Sequence, residues 1–202
     1  MPRRRLIVFF LPLVLNGCAL TEKFSGPVSR TPAEAKTTAQ GQPELMPLAP
    51  PLGPSRRIVQ QLTAVWPGRQ ETLLCVLELD SRRMAMAGLT GDGLSLFDLS
   101  YDGTTLQSDK NPLLPESVAP ELIIADLQLV YWPVAALQKM LPRPWRLEAD
   151  SHHRRLYFNE EPRVDVHYLA PDAIWPKAVE LVNHRYNYRL QIKTISYEAL
   201  PE

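Results

Sequence analysis

The sequence has few of the residues from which catalytic and metal sites are commonly built. It contains two cysteines and four histidines, which is too few cysteines for a disulfide framework. No G-x-G-x-x-G, P-loop or G-x-S-x-G pattern occurs, and no two histidines or cysteines stand at an H-x-x-x-H or C-x-x-C spacing. His152 and His153 are adjacent in a polar stretch, which favours a solvated turn. We therefore predict a protein that is not an enzyme and that has no metal and no cofactor.

An excess of charge of one sign is also missing. The 22 basic and 22 acidic residues balance. Removal of residues 1–17 takes away three arginines and leaves 19 basic and 22 acidic residues, a net charge of −3. Proteins that bind nucleic acids usually carry a basic patch, so we expect no nucleic-acid partner. The apolar segment near the N terminus, residues 6–15, is too short for a permanent membrane span.

What is present begins with the pattern of a signal peptide. Basic residues 3–5 precede the apolar segment, and Leu15-Asn16-Gly17-Cys18 resembles the lipobox of bacterial lipoproteins. The resemblance implies removal of residues 1–17 and acylation of Cys18. By resemblance to enterobacterial sorting, Ala19 after the cysteine implies anchoring at the periplasmic face of the outer membrane. The alternative is an ordinary secretory signal in which the cysteine is incidental.

The composition changes after the cysteine. Seven prolines lie between Pro27 and Pro54, separated mainly by small and polar residues. Such a segment has too little apolar surface to offset the entropy of ordering it. We therefore predict three regions: a signal peptide at 1–17, the lipidated cysteine with a flexible tether at 18–55, and a folded domain at 56–198.

Most of the folded domain has the pattern of β-strand. Apolar and polar residues alternate between turn signals such as Pro67-Gly68 and Asp102-Gly103. The hairpin spacing predicts an antiparallel sheet with one covered face. Cys75 lies in a run that we expect to be buried on both faces, where it would be structural. The predicted strands are 56–65, 70–79, 84–89, 94–101, 104–108, 145–149, 154–159, 163–169, 178–183 and 186–195.

Residues 114–141 are the stretch with helical periodicity. Ile123, Leu127 and Val130 recur at helical spacing. Ser117 is predicted to cap the start, and Pro133 to divide the stretch into two helices with a bend at Trp132. We expect this bend to act as a hinge.

Several of these features together resemble a known family. They are Cys18, the strand meander, LQLVYWP at residues 127–133 and YNYRL at residues 186–190. They resemble proteobacterial outer-membrane lipoproteins of unknown function that are related to the LolA/LolB lipoprotein carriers, over about residues 56–196. The resemblance implies an α+β fold. Its antiparallel β-sheet would be a strongly curved, open half-barrel, with the apolar concave face covered by the short helical insert.

The resemblance also implies a cavity for hydrophobic cargo, with the helical insert as its lid. The cargo would be a lipid, the acyl groups of a lipoprotein or a polyene-type product, transferred or inserted at the outer membrane. Expected partners are outer-membrane lipid through acylated Cys18, this cargo, and a periplasmic carrier protein. The alternative is a non-enzymatic, membrane-tethered scaffold or assembly factor with a filled core and protein partners. The predicted cargo-binding residues are Ile123, Leu127, Val130, Tyr131, Trp132, Leu137, Met84, Met86, Tyr188 and Leu190.

Overall fold

The computed structural model describes residues 45–115, 118–170 and 175–201, which form ten strands and two helices. The helices are α1 (Pro120–Tyr131) and α2 (Val134–Met140). The strands are β1 (Arg56–Trp66), β2 (Arg69–Leu79), β3 (Met84–Leu89), β4 (Ser95–Tyr101), β5 (Leu106–Lys110), β6 (Trp145–Ala149), β7 (His153–Phe158), β8 (Glu161–Tyr168), β9 (Ala178–Asn183) and β10 (Tyr188–Ala199).

The strands form one open antiparallel sheet in the order β5-β4-β3-β2-β1-β10-β9-β8-β7-β6. Strands β1 to β5 make one meander and β6 to β10 make the other. The two meanders join where β1 pairs with β10 along nearly its whole length. Both helices lie in the chain between β5 and β6, the two edge strands, so the helical stretch connects opposite edges of the sheet.

Alternation along the strands separates a buried face from a wet face, as predicted. Ile58, Leu77 and Leu181 on the buried face are fully inaccessible to solvent. Ion pairs occupy the other face, such as Arg57 with Glu78 at 2.7 Å. Apolar residues thus collect on one side of the sheet, where they form a hydrophobic core together with residues of α1 and α2.

Strand β2 differs from its prediction. Its apolar run was expected to be buried on both faces, but Leu74 is 39% exposed because the alternation continues through the run. Cys75, on the covered face, is buried, and burial raises the pKa of its thiol to about 12. A thiol in this environment stays protonated at neutral pH, which agrees with a structural role.

The strand bounds agree with the predictions to within one to three residues at most ends. The largest departure is β10, which begins at Tyr188 rather than Tyr186 and continues to Ala199. Tyr186 lies in the turn before it, and Asn187 has a φ of 51°. This left-handed conformation is more accessible to asparagine than to most residues, and it ends the turn.

The predicted division of the helical stretch at Pro133 is confirmed. Trp132 has extended backbone angles between the two helices, as expected for a residue that precedes proline. Pro120 stands at the start of α1, after Ala119 as the N-cap, and no described side chain caps that end. The predicted cap, Ser117, lies outside the described residues.

Residues 45–55 correct the prediction of a tether that extends to residue 55. Met46 and Ala49 are 5% and 2% exposed and belong to the hydrophobic core. The apolar residues between the prolines make this possible, because they supply the surface that the rest of the proline-rich segment lacks. Residues 1–44, with the predicted signal peptide, Cys18 and most of the tether, lie outside the described residues.

Candidate functional site

An apolar cavity of about 120 Å³ is lined by α1 on one side and by the sheet on the other. Helix residues Leu122, Ile123 and Leu127 contribute to it, together with strand residues from both meanders. Among the described residues of the lining, only Gln60 and Asp126 have side chains that are neither apolar nor aromatic. We call this space the apolar cavity. Its strand residues are Gln60, Leu62, Ala64, Trp66, Leu73, Met86, Phe97, Tyr188, Leu190 and Ile192.

Register and periodicity explain why these side chains meet. Leu62 pairs with Ile192 and Ala64 pairs with Leu190 across the β1–β10 ladder, so alternate residues of both strands line one face. On α1, residues three or four positions apart share a face of the helix. Ala64 has the smallest side chain of the lining, and it leaves room near the end of the ladder where β1 runs toward Trp66.

The structure brings five of the ten predicted cargo-binding residues to the apolar cavity: Ile123, Leu127, Met86, Tyr188 and Leu190. The other five lie elsewhere. Val130, Tyr131 and Trp132 line a separate groove, and Met84 and Leu137 are fully buried in the core. Val130, Tyr131 and Trp132 lie away from the cavity because the C-terminal end of α1 contacts β7 and β8, through Arg154 and Tyr168.

Two buried polar residues of α1 were missed by sequence reasoning. Gln128 is fully buried, and its amide makes two hydrogen bonds with the backbone of Ala49. It accepts from the Ala49 N–H at 2.6 Å and donates to the Ala49 carbonyl at 2.7 Å. Its sequence did contain a sign of this, because Gln128 stands between Leu127 and Leu129 in an apolar run. The sequence does not show which group a buried glutamine binds.

Asp126 is the second missed residue, and its carboxyl group faces the apolar cavity while only 7% exposed. The Tyr188 hydroxyl donates to Asp126 Oδ2, and Asn183 Nδ2 donates to the Tyr188 oxygen at 3.1 Å. Burial raises the pKa of Asp126 to about 7, against the lowering effect of the hydrogen bonds from Tyr188 and Asn183. The cavity wall therefore carries a group that changes charge near neutral pH. The sequence did contain a sign of this. Asp126 follows Ile123 by three positions and Leu122 by four, so on a helix it lies on the same face as these apolar residues.

The C-terminal end of α1 is firmly attached to the sheet. Arg154 Nη1 donates to the carbonyls of Leu129 and Trp132, both at 2.7 Å, and the Tyr168 hydroxyl donates to the Val130 carbonyl at 2.5 Å. The last turn of α1 itself has no basic residue, so Arg154 supplies the cation that favours a helix C terminus.

The bend at Trp132, between α1 and α2, is also held by hydrogen bonds. Trp132 is 1% exposed, and its indole Nε1 donates to the Pro50 carbonyl at 2.9 Å. A residue with this many contacts is poorly placed to act as the hinge that the sequence suggested. Any shift of α1 is easier at its N-terminal end, which has no side-chain cap among the described residues.

The described residues contain no cluster of three or more histidine, cysteine, aspartate or glutamate side chains placed to hold a metal ion. Within the same ranges, neither helix has the length and apolar character that a membrane crossing requires.

Fold and site together define an α+β domain in which the described residues build a large open antiparallel sheet, two short helices and an apolar cavity. Residues 57–196 match the family model described as a protein of unknown function, DUF3261, and the chain belongs to that family. The part of the predicted resemblance that concerns a family of unknown function is thereby confirmed. A comparison with curated proteins finds no match.

Among solved structures, the chain is similar to a domain from Vibrio parahaemolyticus described as an outer membrane lipoprotein-sorting protein domain. The alignment covers 74% of this chain and 88% of that chain, with 9% sequence identity and a TM-score of 0.39. A likeness at this level carries no argument about function, and the relation to the LolA/LolB carriers stays a prediction.

Proposed function

We propose that this protein is a non-enzymatic carrier that binds an acyl chain in the apolar cavity and transfers or inserts it at the outer membrane. The observation that carries the proposal is the cavity itself, an almost entirely apolar space lined by one helix and the sheet. In this proposal acylated Cys18 anchors the protein at the periplasmic face, and the tether after it ends before the packed residues 45–55. The cargo is a lipid, the acyl groups of a lipoprotein or a polyene-type product, received from a periplasmic carrier.

The size of the cavity limits what it holds without a conformational change. A space of about 120 Å³ is comparable to the ~150 Å³ apolar cavity that holds a benzene-sized molecule. The cavity therefore fits the end of an acyl chain but not the whole chain. Each methylene that enters gains about 0.8 kcal/mol, so a longer chain gains free energy by displacing α1 from the sheet.

The attachment of α1 indicates which part moves in this proposal. The C-terminal end is fixed by Arg154 and Tyr168, whereas Leu122, Ile123 and Leu127 of the cavity lining belong to its first two turns. We propose that the N-terminal half of α1 lifts to admit the cargo. The sheet would then act as the strongly curved half-barrel expected from the sequence, with the helices over its concave face.

The small volume also supports the second candidate, a membrane-tethered scaffold or assembly factor with protein partners. In that case the cavity is a minor void in a filled core, and α1 is a fixed plug. Met84 and Leu137, which are fully buried and are not part of the lining of the apolar cavity, fit this candidate as well as the first. The two candidates differ in whether apolar molecules enter the space beside Ala64.

Filling the cavity tests the proposal. We expect Ala64→Phe to abolish binding of a fluorescent fatty acid because the phenyl ring occupies the space between β1 and α1. The matched control is Thr63→Phe, since Thr63 lies next to Ala64 on β1 with its hydroxyl bonded to Thr72 on the exposed face. Binding is measured on residues 19–202 purified without detergent, and mass spectrometry of co-purified lipids identifies the natural cargo.

The outcome separates carrier from scaffold. Overpacking costs about 1–3 kcal/mol, so thermal unfolding must show that Ala64→Phe is still folded. Equal binding by both variants, or no bound lipid and no fatty-acid binding by the unchanged chain, would leave the scaffold as the better candidate.

Lys110 controls access to the cavity in this proposal. Its ammonium group donates to the carbonyls of Pro115 and Val118 at 3.1 and 3.3 Å, just before α1. We expect Lys110→Met to speed the release of the bound fatty acid by severalfold, because the start of α1 loses this attachment to β5. Stopped-flow displacement measures the rate, and an unchanged rate in this variant would argue against opening at the N-terminal end. Lys139→Met on α2, whose side chain is not part of the cavity lining, is the control.

A further inference from the structure

A second concave surface lies at the other end of α1 and shares no lining residue with the apolar cavity. It is a groove of about 660 Å³ between residues 52–54, the junction of the two helices, and residues 175–176. Five aromatic side chains contribute to its walls, and we call it the aromatic groove. They are Tyr131, Trp132, Tyr168, Trp175 and Tyr197.

The charges of the aromatic groove are of one sign. Arg56 and Arg154 line it, and no aspartate or glutamate is found among its described lining residues. Neither arginine forms an ion pair with a carboxylate in the ranges that the structure describes. This contrasts with Arg57 and Arg155, their neighbours in sequence, which pair with Glu78 and Asp165 on the wet face.

Arg56 is 8% exposed, and its hydrogen bonds are incomplete. Nη1 donates to the Pro54 carbonyl at 2.7 Å and Nη2 to the Leu52 carbonyl at 3.2 Å. The buried Nε has no partner. A buried guanidinium with no carboxylate partner and with incomplete hydrogen bonds is stabilised when an anion pairs with it.

Trp175 offers a second unused donor at the same place. The Arg56 guanidinium lies 5.4 Å from the centre of its ring, and the ring stacks on Tyr131 at 4.2 Å with an interplanar angle of 20°. The buried indole Nε1 has no hydrogen-bond partner. The indole N–H points along the plane of its own ring. Because Tyr131 is stacked on the face of that ring, the N–H does not point at the Tyr131 hydroxyl.

Arg154 adds donors from the opposite wall. The hydrogen bonds that fix α1 use only its Nη1, and its guanidinium lies 5.4 Å from the centre of the Tyr168 ring. The groove thus combines two unpaired cations, two unused buried donors and an aromatic lining. Oxyanions satisfy planar guanidinium groups through paired hydrogen bonds, and aromatic walls bury an apolar body.

We propose that the aromatic groove binds the anionic head group of an amphiphile. Its phosphate or carboxylate oxygens accept hydrogen bonds from Arg56, Trp175 and Arg154, and its apolar body lies along the aromatic walls. In this proposal both side chains rotate to reach the anion, and the Arg56 guanidinium exchanges its hydrogen bonds to the Pro54 and Leu52 carbonyls for bonds to the anion. This site is independent of the acyl-chain cavity and remains even if the carrier proposal fails.

The test is a titration of the full chain, in the neutral detergent dodecyl maltoside, with hexyl phosphate as the probe. Isothermal calorimetry measures the affinity. We expect Arg56→Gln to weaken binding by about tenfold or more, which corresponds to the loss of a charged hydrogen bond, and we expect Arg57→Gln to leave it unchanged. Trp175→Phe keeps the stacked ring but removes the N–H, and it should weaken binding severalfold.

Three comparisons decide the matter. Hexyl glucoside, which has the same chain and a neutral head, should bind much more weakly than hexyl phosphate. Inorganic phosphate should also bind more weakly, since it lacks the apolar body. Equal binding of the neutral probe, equal binding of inorganic phosphate, or equal affinities in the folded Arg56→Gln and Arg57→Gln variants would each overturn the proposal. Thermal unfolding of each variant shows whether it is folded. If Arg56→Gln does not fold, the affinity of Trp175→Phe for hexyl phosphate tests the proposal in its place.

Discussion

Replacing Gln128 with methionine is expected to lower the free energy of unfolding by about 2–5 kcal/mol. Methionine has a similar length and fills the same space, so the change mainly removes the hydrogen bonds. Both hydrogen bonds to Ala49 are lost, and its buried N–H and carbonyl are left without partners. Each buried polar group without a partner costs about 1–3 kcal/mol. Urea unfolding of the full chain measures the difference.

The same substitution should also release residues 45–55 from the core. Limited proteolysis of Gln128→Met should cut near Leu48, where the unchanged chain resists. Gln138→Met is the control, because Gln138 on α2 is exposed and donates a single hydrogen bond to the Leu147 carbonyl at 3.0 Å. If Gln128→Met lost no more stability than Gln138→Met, the attachment of this segment would rest on apolar packing and on the hydrogen bond from Trp132 to the Pro50 carbonyl.

The strands could be predicted from the sequence because local alternation and turn residues determine them. The bounds of β3, β6 and β9 agree fully with the predictions. The break between α1 and α2 followed from Pro133 for a similar local reason. These features depend on residues that are close in sequence, which a single chain reveals.

The packed segment at residues 45–55 could not be predicted in this way. Its proline content is typical of a tether, whereas the hydrogen bonds that hold it come from distant residues, such as Gln128, which is 79 residues from Ala49. Tertiary hydrogen bonds of this kind leave no periodic pattern. The same limit applies to Arg56, which alternation places on the covered face of β1 without showing that it lacks a carboxylate partner.

Apolar periodicity showed which residues face the inside of the domain but not which of them line a cavity. Ile123, Leu127 and Leu190 share this periodicity and line the apolar cavity. Periodicity could not separate them from Met84 and Leu137, which are equally apolar but fill the core. A cavity depends on where side chains are small, as at Ala64, and on register between distant strands, so apolar character alone does not locate it.

Replacing Asp126 with asparagine is expected to stabilise the protein above neutral pH and to have little effect in acid. The pKa of this carboxyl rises from about 3.9 in the unfolded chain to about 7 in the folded protein. The folded state therefore holds its proton more tightly, and the stability of the unchanged chain falls as the pH rises from about 4 to 7. A shift of this size corresponds to roughly 3–4 kcal/mol above pH 7. In Asp126→Asn this decline should be absent.

Asp165→Asn is the matched control because the pKa of Asp165 is shifted in the opposite direction to that of Asp126. Although partial burial raises its pKa, hydrogen bonds from His184 and Arg155 bring it below the ordinary value. Asp165 therefore stabilises the fold at neutral pH and loses this contribution as the pH falls through its folded pKa. Thermal unfolding of the three chains between pH 2 and 9 should show the Asp126 effect between about pH 4 and 7 and the Asp165 effect below about pH 4.

The charge of Asp126 also affects the proposed cargo site, because the carboxyl faces the apolar cavity. An ionised carboxylate makes an apolar space less favourable for an acyl chain. We therefore expect the affinity for a neutral apolar probe, N-phenyl-1-naphthylamine, to fall severalfold between pH 6 and 8.5 in the unchanged chain and to stay constant in Asp126→Asn. Parallel pH profiles for the two proteins would mean that the probe binds away from Asp126. That result, together with normal binding by Ala64→Phe, would exclude the apolar cavity as the cargo site and leave α1 as a structural plug.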